Sequence, residues 1–169
     1  EWAFVMDAFQ AERDQAITID AAHIWFKTAK RNYVIVDAPG HREFIKNMVS
    51  GAASCDAALL VIEAAEGVRE QSRRHAYLLH LLGVEEVVVA VNKMDLMDFS
   101  EEVYENIRKD YLKFAEKLAI PDIRFIPLSA KGGENVVHLS ERTPWYKGFS
   151  LMHLLETIEF SQEMNLEDL

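Results

Sequence analysis

Four short runs constrain this chain more than any other feature: "YVIV" (33–36), "AALLVI" (57–62), "VVVAV" (87–91) and "IRFIPL" (123–128). Each is almost wholly apolar and rich in β-branched side chains, which suits strands buried on both faces of a parallel sheet. Helical patterns lie between and after them. Phe44, Ile45, Met48 and Val49 mark an apolar stripe from Arg42 to about Ser54. From about Glu70 to Leu82, "LLHLL" turns inward, and Gly83 stands where a left-handed residue ends a helix. From Glu101 to Leu118, Tyr104, Ile107, Tyr111, Phe114 and Leu118 recur at intervals of three and four, behind Asp98 and Glu101 spaced as a capping box. A last helix is expected from about Leu151 to Ile158. Strand alternating with helix four times predicts an α/β fold with a doubly wound, mostly parallel sheet. "HIWFKTAKRNYVIVD" departs from this rhythm and reads as an antiparallel edge hairpin turning at Lys30 to Asn32. Residues 132–149, with Gly132, Gly133, Pro144 and Gly148, read as a long loop before the last helix. Residues 1–16 read as a helix with Phe4, Val5, Ala8 and Phe9 on one side.

In open α/β sheets ligands bind at the carboxyl ends of the strands, and three of these ends carry pointed sequences. "DAPG" (37–40) closes the first run. An Asp there can hold a Mg²⁺-bound water, and Gly40 lets a backbone N–H approach a phosphate oxygen; a plain turn explains the same letters. "NKMD" (92–95) follows "VVVAV" directly. Its Asp can accept two N–H bonds at once, from the ring N1 and the 2-amino group of guanine, while the Asn and the Lys stem flank the ring; a capped loop is the alternative. "SAK" (129–131) follows "IRFIPL", where a tight turn can aim the Ala130 N–H at a purine carbonyl oxygen. Each is weak alone, but together they stand in order at three strand ends.

Composition narrows the classes. With 169 residues the chain is long enough for one domain with a real core. Its formal charge of −10 argues against a broad nucleic-acid surface, which needs clustered Lys and Arg, but leaves room for a small phosphate site built from backbone N–H groups. Cys55 is the only cysteine, so neither an intrachain disulfide nor a thiolate metal cluster is available, and it reads as a small, partly buried filler. No apolar run approaches the roughly 18 residues that span a bilayer, and the opening "EWAFVMDAF" does not read as a secretory leader, so a cytoplasmic protein without a membrane partner is expected. His23, His75, His80, His138 and His153 lack metal-ligand spacing and read as surface or satisfied residues. Trp2, Trp25 and Trp145 read as packing residues. Arg73, Arg74 and His75 form a small basic patch that suits a solvated face or a partner contact.

"DAPGH", "NKMD" and "SAK" in this order resemble the GTP-binding domain of translation-factor-like GTPases, a P-loop NTPase-like, three-layer fold. "ERDQAITID" (12–20) is similar to that family's first switch segment, and the His after "DAPG" to its hallmark. The resemblance implies that Thr18 ligates Mg²⁺ and that Asp37 holds it through water. It implies that Gly40 contacts the γ-phosphate of GTP and that His41 orients the attacking water. It gives guanine recognition to Asn92, Lys93 and Asp95, with Ser129 and Ala130 closing the pocket. One water-orienting side chain can suffice, because phosphoryl transfer needs mostly positioning and charge neutralisation. Within the family, "QSRRHAYLLHLLGVEEVVVAVNKMDLMDF", "FIPLSAKGGENVV" and "TPWYKGFSLMHLLETIEF" are most similar to the large, GTPase subunits of sulfate adenylyltransferases, and the resemblance covers essentially the whole chain. It implies a GTP hydrolase that drives formation of adenosine 5′-phosphosulfate from ATP and sulfate, with a small adenylyltransferase subunit as partner. An elongation-factor-like carrier of tRNA and a non-catalytic α/β interaction domain are the rivals.

Two departures bear on these expectations. Ala16 stands where the family has Gly, and Ala resists positive φ. No G-x-x-x-x-G-K-S/T occurs among the 169 residues. The family's first strand and phosphate loop are therefore expected to be missing from this single, incomplete domain. That strand belongs between residues 33–37 and 57–62, so its loss is expected to leave two open strand edges, weak or absent GTP binding, negligible hydrolysis and marginal stability.

Overall fold

The computed structural model describes residues 22–39, 45–53, 55–118, 120 and 123–159. The expected first helix, the switch-like segment (1–20) and the "GH" of "DAPGH" lie outside these residues. Among the described residues the order is β1 (Ala22–Lys27), β2 (Asn32–Asp37), α1 (Ile45–Ala52), β3 (Ala57–Glu63), α2 (Glu70–Leu81), β4 (Glu86–Asn92), α3 (Glu101–Glu116), β5 (Ile123–Pro127) and α4 (Leu151–Thr157). A short 3₁₀ turn, Met94–Met97, separates β4 from α3. The sequence predicts every one of these strands and helices to within a few residues, apart from this turn.

β3, β4 and β5 form a parallel sheet with β4 in the centre, in the registers Leu60↔Val89 and Val89↔Phe125. Apolar side chains alternate to both faces of β4, so one face builds one core and the other face a second. Leu60, Ile62, Val87, Val89, Val91 and Phe125 pack under α2 and α3, against Ala76, Tyr104, Ile107 and Tyr111. Val88, Ala90 and Ile126 pack on the other side, under Leu154 and Ile158 of the α4 region. Helix, sheet and helix thus make three layers. α1 adds a third cluster through Met48 and Ala52, against Leu79 and Val84.

β1 and β2 form the antiparallel hairpin, paired from Ala22↔Asp37 to Lys27↔Asn32. Its turn spans Thr28 to Arg31, where the Thr28 N–H donates to the Arg31 carbonyl at 2.9 Å. That turn reaches the far end of the chain. The Arg31 guanidinium donates to the carbonyls of Leu155 (3.0 Å) and Ile158 (2.8 Å), filling acceptors that the end of α4 leaves open. Lys30 adds an ion pair to Glu156 at 3.7 Å.

Burial corrects the expectation of strands covered on both faces. It holds for β4, but in β3 Leu59 and Val61 are 45% and 57% exposed, and in β2 Val34 and Ile35 are about as open. The physical reason is the sheet order: β2 shares no ladder with β3, so both are edge strands among the described residues. Trp25, expected to pack, is 72% exposed and stacks on His23, ring centroids 6.0 Å apart. Trp145 does pack, against Tyr104, with its indole N–H donating to the Phe99 carbonyl at 3.2 Å.

Gly83 takes the left-handed conformation expected of it, at φ +75°. The cap of α3 is Ser100 rather than Asp98: its hydroxyl accepts from the Val103 N–H, while Asp98 sits at φ 52° and ends the 3₁₀ turn. The turn shifts the helix start by two residues, which puts Asp98 out of reach of the first open amides. Cys55 donates its thiol to the Gly51 carbonyl at 3.2 Å, and burial together with the Asp56 carboxylate pushes its pKa up, so it stays an unreactive thiol at neutral pH.

Tyr111 is wholly buried against Phe125, and its hydroxyl has no hydrogen-bond partner among the described residues. Burial pushes its phenol up to about 12. Tyr111→Phe removes an unpaired polar group and is expected to raise stability by about 1 kcal/mol at neutral pH. The unfolded chain's tyrosine ionises near 10, so between pH about 10 and about 12 the unfolded state loses its proton first. Stability therefore falls as pH rises through that window, and less steeply in the variant. Urea unfolding at pH 8 and at successive alkaline steps checks both parts; a less stable phenylalanine variant would contradict them.

Candidate functional site

The carboxyl ends of β4 and β5 meet in two loops whose geometry follows from the register of the strands. Leu128 N–H donates to the Val91 carbonyl (2.9 Å) and Met94 N–H to the Leu128 carbonyl (3.2 Å), so the sheet pairing runs on past both strand ends. The segments 92–95 and 129–131 are thereby held side by side. The Ser129 hydroxyl donates to Asp95 Oδ1 at 2.9 Å and accepts from the Gly132 N–H at 3.2 Å. Ser129 is buried, so this bond fixes the carboxylate from below while leaving its second oxygen for a ligand.

The Ala130 N–H differs from expectation. The sequence aims it at a purine carbonyl; in the structure it donates to Asn92 Oδ1 at 3.0 Å. A lone N–H in a tight turn takes the nearest acceptor, and the two loops bring Asn92 within reach. Lys93 sits at φ 59°, a left-handed conformation uncommon outside Gly and Asn. Its ammonium donates to Glu63 Oε2 at 2.9 Å. Asn92, Lys93, Asp95, Ser129 and Ala130 thus form one constellation in which a planar ring with neighbouring donors on its edge would meet a fixed carboxylate.

Residues 128–150 hold no regular helix or strand, yet they are tightly built. Asn135, fully buried and at φ 61°, is their centre. Its Nδ2 donates to the Pro127 carbonyl (2.7 Å) and to Thr143 Oγ1 (2.9 Å), and its Oδ1 accepts from the Ser140 N–H (2.7 Å). Its own carbonyl accepts from the Leu151 N–H, at the start of α4. Gly132 is packed so closely that an added Cβ would meet the Glu134 carboxylate. The sequence reading missed Asn135 and Glu63. The signal for Asn135 was its place just after Gly132-Gly133, since Asn tolerates left-handed φ.

Asp37 closes β2 opposite Ala22, in the other sheet. Gly40, His41 and Thr18 lie outside the described residues. No cluster of three His, Cys, Asp or Glu side chains that could hold a metal occurs among the described residues. A single strand-end carboxylate suits Mg²⁺, which keeps its waters and takes one or two protein carboxylates beside phosphate oxygens. No described helix is long and apolar enough to cross a membrane.

The family model of the elongation factor Tu GTP binding domain matches residues 1–160. The chain belongs to that family. Among curated relatives of this elongation factor Tu-type domain, sulfate adenylyltransferase subunit 1 of Pseudoalteromonas atlantica is 54% identical over 166 residues, and that of Bacteroides thetaiotaomicron 49% over 168. These matches cover 98% and 99% of this chain and 35% of each relative, so the chain spans about a third of their length. Among solved structures, a bacterial selenocysteine-specific elongation factor EF-Sec superposes with a TM-score of 0.71 at 24% identity, over 91% of this chain and 25% of that one, which speaks for the fold. Sup35 complexed with GMPPNP superposes with a TM-score of 0.66 at 30% identity, over 81% of this chain and 34% of that one. The fold is thus the α/β GTP-binding domain of this family, with a three-stranded parallel sheet and an antiparallel hairpin.

Proposed function

We propose that the constellation at the ends of β4 and β5 reads guanine, and that the full-length protein is the GTP-hydrolysing subunit of a sulfate adenylyltransferase. The observation that carries the first part is the Asp95–Ser129 bond of 2.9 Å, which fixes a carboxylate for a ligand presenting two adjacent donors. Guanine offers these as N1–H and the 2-amino group; adenine has no such pair. The guanine carbonyl takes the Ala130 N–H in place of Asn92 Oδ1, and the ring lies along the Lys93 stem. What supports the second part is the set of curated relatives named sulfate adenylyltransferase subunit 1. That word, subunit, supports a second, adenylyl-transferring subunit as partner.

In this reading Thr18, and Asp37 through a water, would hold Mg²⁺, which would neutralise charge on the phosphates. Gly40 gives its N–H to the γ-phosphate, and His41 orients the water whose oxygen attacks phosphorus as the bond to GDP breaks. Release of that energy drives transfer of the adenylyl group of ATP to sulfate, with pyrophosphate leaving. A calorimetric titration of the full-length protein with GDP and ADP, in Mg²⁺, tests the base reading. The expected result is GDP binding at least roughly a hundred-fold tighter, because a polar site rejects a ligand that leaves its groups unpaired. Equal affinity would remove the guanine assignment. Faster GTP turnover on adding the small subunit with ATP and sulfate is expected from the second part, and its absence would remove that part alone.

A further inference from the structure

We infer that Glu63 is a positioning residue for nucleotide binding, holding the Lys93 side chain in line for the purine ring. This rests on the guanine reading above. Glu63 is the last residue of β3 and stands in register opposite Asn92. The Ala64 N–H donates to the Asn92 carbonyl at 2.8 Å, so the two strand ends are locked beside the loop that carries Lys93. From there the Glu63 carboxylate takes the Lys93 ammonium at 2.9 Å. The left-handed backbone of Lys93 sets where its stem starts, and Glu63 sets where it ends.

A lysine stem has four rotatable bonds, and a ring that stacks on it must pay for the freedom it removes. A stem already tied at its tip loses less on binding. Both partners are partly open to solvent, at 51% and 32% side-chain exposure, so the effect is that of an exposed pair. It corresponds to about a two- to five-fold change in affinity.

The sign of the effect separates positioning from simple charge. Glu63→Gln removes a negative charge near an anionic ligand. If Glu63 were a bystander, the substitution would leave GDP binding unchanged or tighten it; positioning predicts weaker binding. The base edge provides a second readout. Inosine diphosphate lacks the 2-amino group read by Asp95 but offers the same ring face to Lys93. Glu63→Gln in the full-length protein is expected to weaken GDP and inosine diphosphate by the same two- to five-fold, with Glu63→Asp recovering part of the loss and the melting temperature unchanged. Unchanged or tighter GDP binding in Glu63→Gln overturns the inference. So does a loss confined to GDP, which would mean that the Asp95 loop had shifted. If the unsubstituted protein binds neither nucleotide, the guanine reading fails, and this inference with it.

Discussion

Replacing Asp95 by alanine is expected to weaken GDP binding by roughly a hundred- to a thousand-fold in the full-length protein, while ADP binding stays as weak as before. The substitution removes the acceptor for two N–H groups of guanine, each bond to a charged group being worth about 1.5–3 kcal/mol. Part of that is returned as the bared guanine donors find water, which is why the lower end of the range is included. The loss is also felt inside the protein. Ser129 is buried and gives its hydroxyl proton to Asp95, so in the variant that donor has no acceptor. Ser129→Ala should therefore reproduce a fraction of the effect, about three- to ten-fold, by freeing the carboxylate to rotate. Titration calorimetry with GDP on both variants checks this. A loss below about five-fold in Asp95→Ala would mean that the carboxylate does not meet the base.

Asn135→Ala is expected to be the most damaging single change to stability, at about 3–5 kcal/mol. Two groups lose their partner together, the Pro127 carbonyl and the Ser140 N–H, and the Thr143 hydroxyl keeps only its bond to the Ser140 carbonyl. A buried polar group left unpaired costs about 1–3 kcal/mol. Alanine is also strained at φ 61°, adding about 1 kcal/mol. Asn135→Gly separates the two contributions, since glycine accepts that φ freely and should recover only the second. Trp145, which packs within the same loop region, supplies a fluorescence signal for urea unfolding. The expected observation is a lower midpoint at unchanged slope. A cost below about 1 kcal/mol would show that the loop reorganises around the gap.

The sheet strands and helices were legible because their signal is local and repeated. "VVVAV" can be buried on both faces only at the centre of a sheet, and β4 is there. The ends of β4 and β5 were legible for the same reason, since "NKMD" and "SAK" follow those runs directly. What was hidden lies in pairings across long stretches of chain. Nothing near Lys93 in sequence points to Glu63, thirty residues earlier; the strand register alone brings them together. Leu59 and Val61 look as core-like as Leu60 and Ile62, and only the edge position of β3 distinguishes them. Asp98 and Ser100 are both good caps, and the intervening 3₁₀ turn, which made Ser100 the cap, has no apolar period to betray it.

The Arg31 contact gives the hairpin a fulcrum. Its turn is clamped to the end of α4, whereas Ala22 and Asp37 pair at its opposite end. Six residues of strand make an arm of roughly 20 Å, so a tilt of about 5° about Arg31 would swing Asp37 through nearly 2 Å. That is more than half the length of a hydrogen bond, from a disturbance at the clamp too small to break the Arg31 bonds to Leu155 and Ile158. Leverage of this kind would tie the place where α4 ends to the carboxylate at the tip of β2.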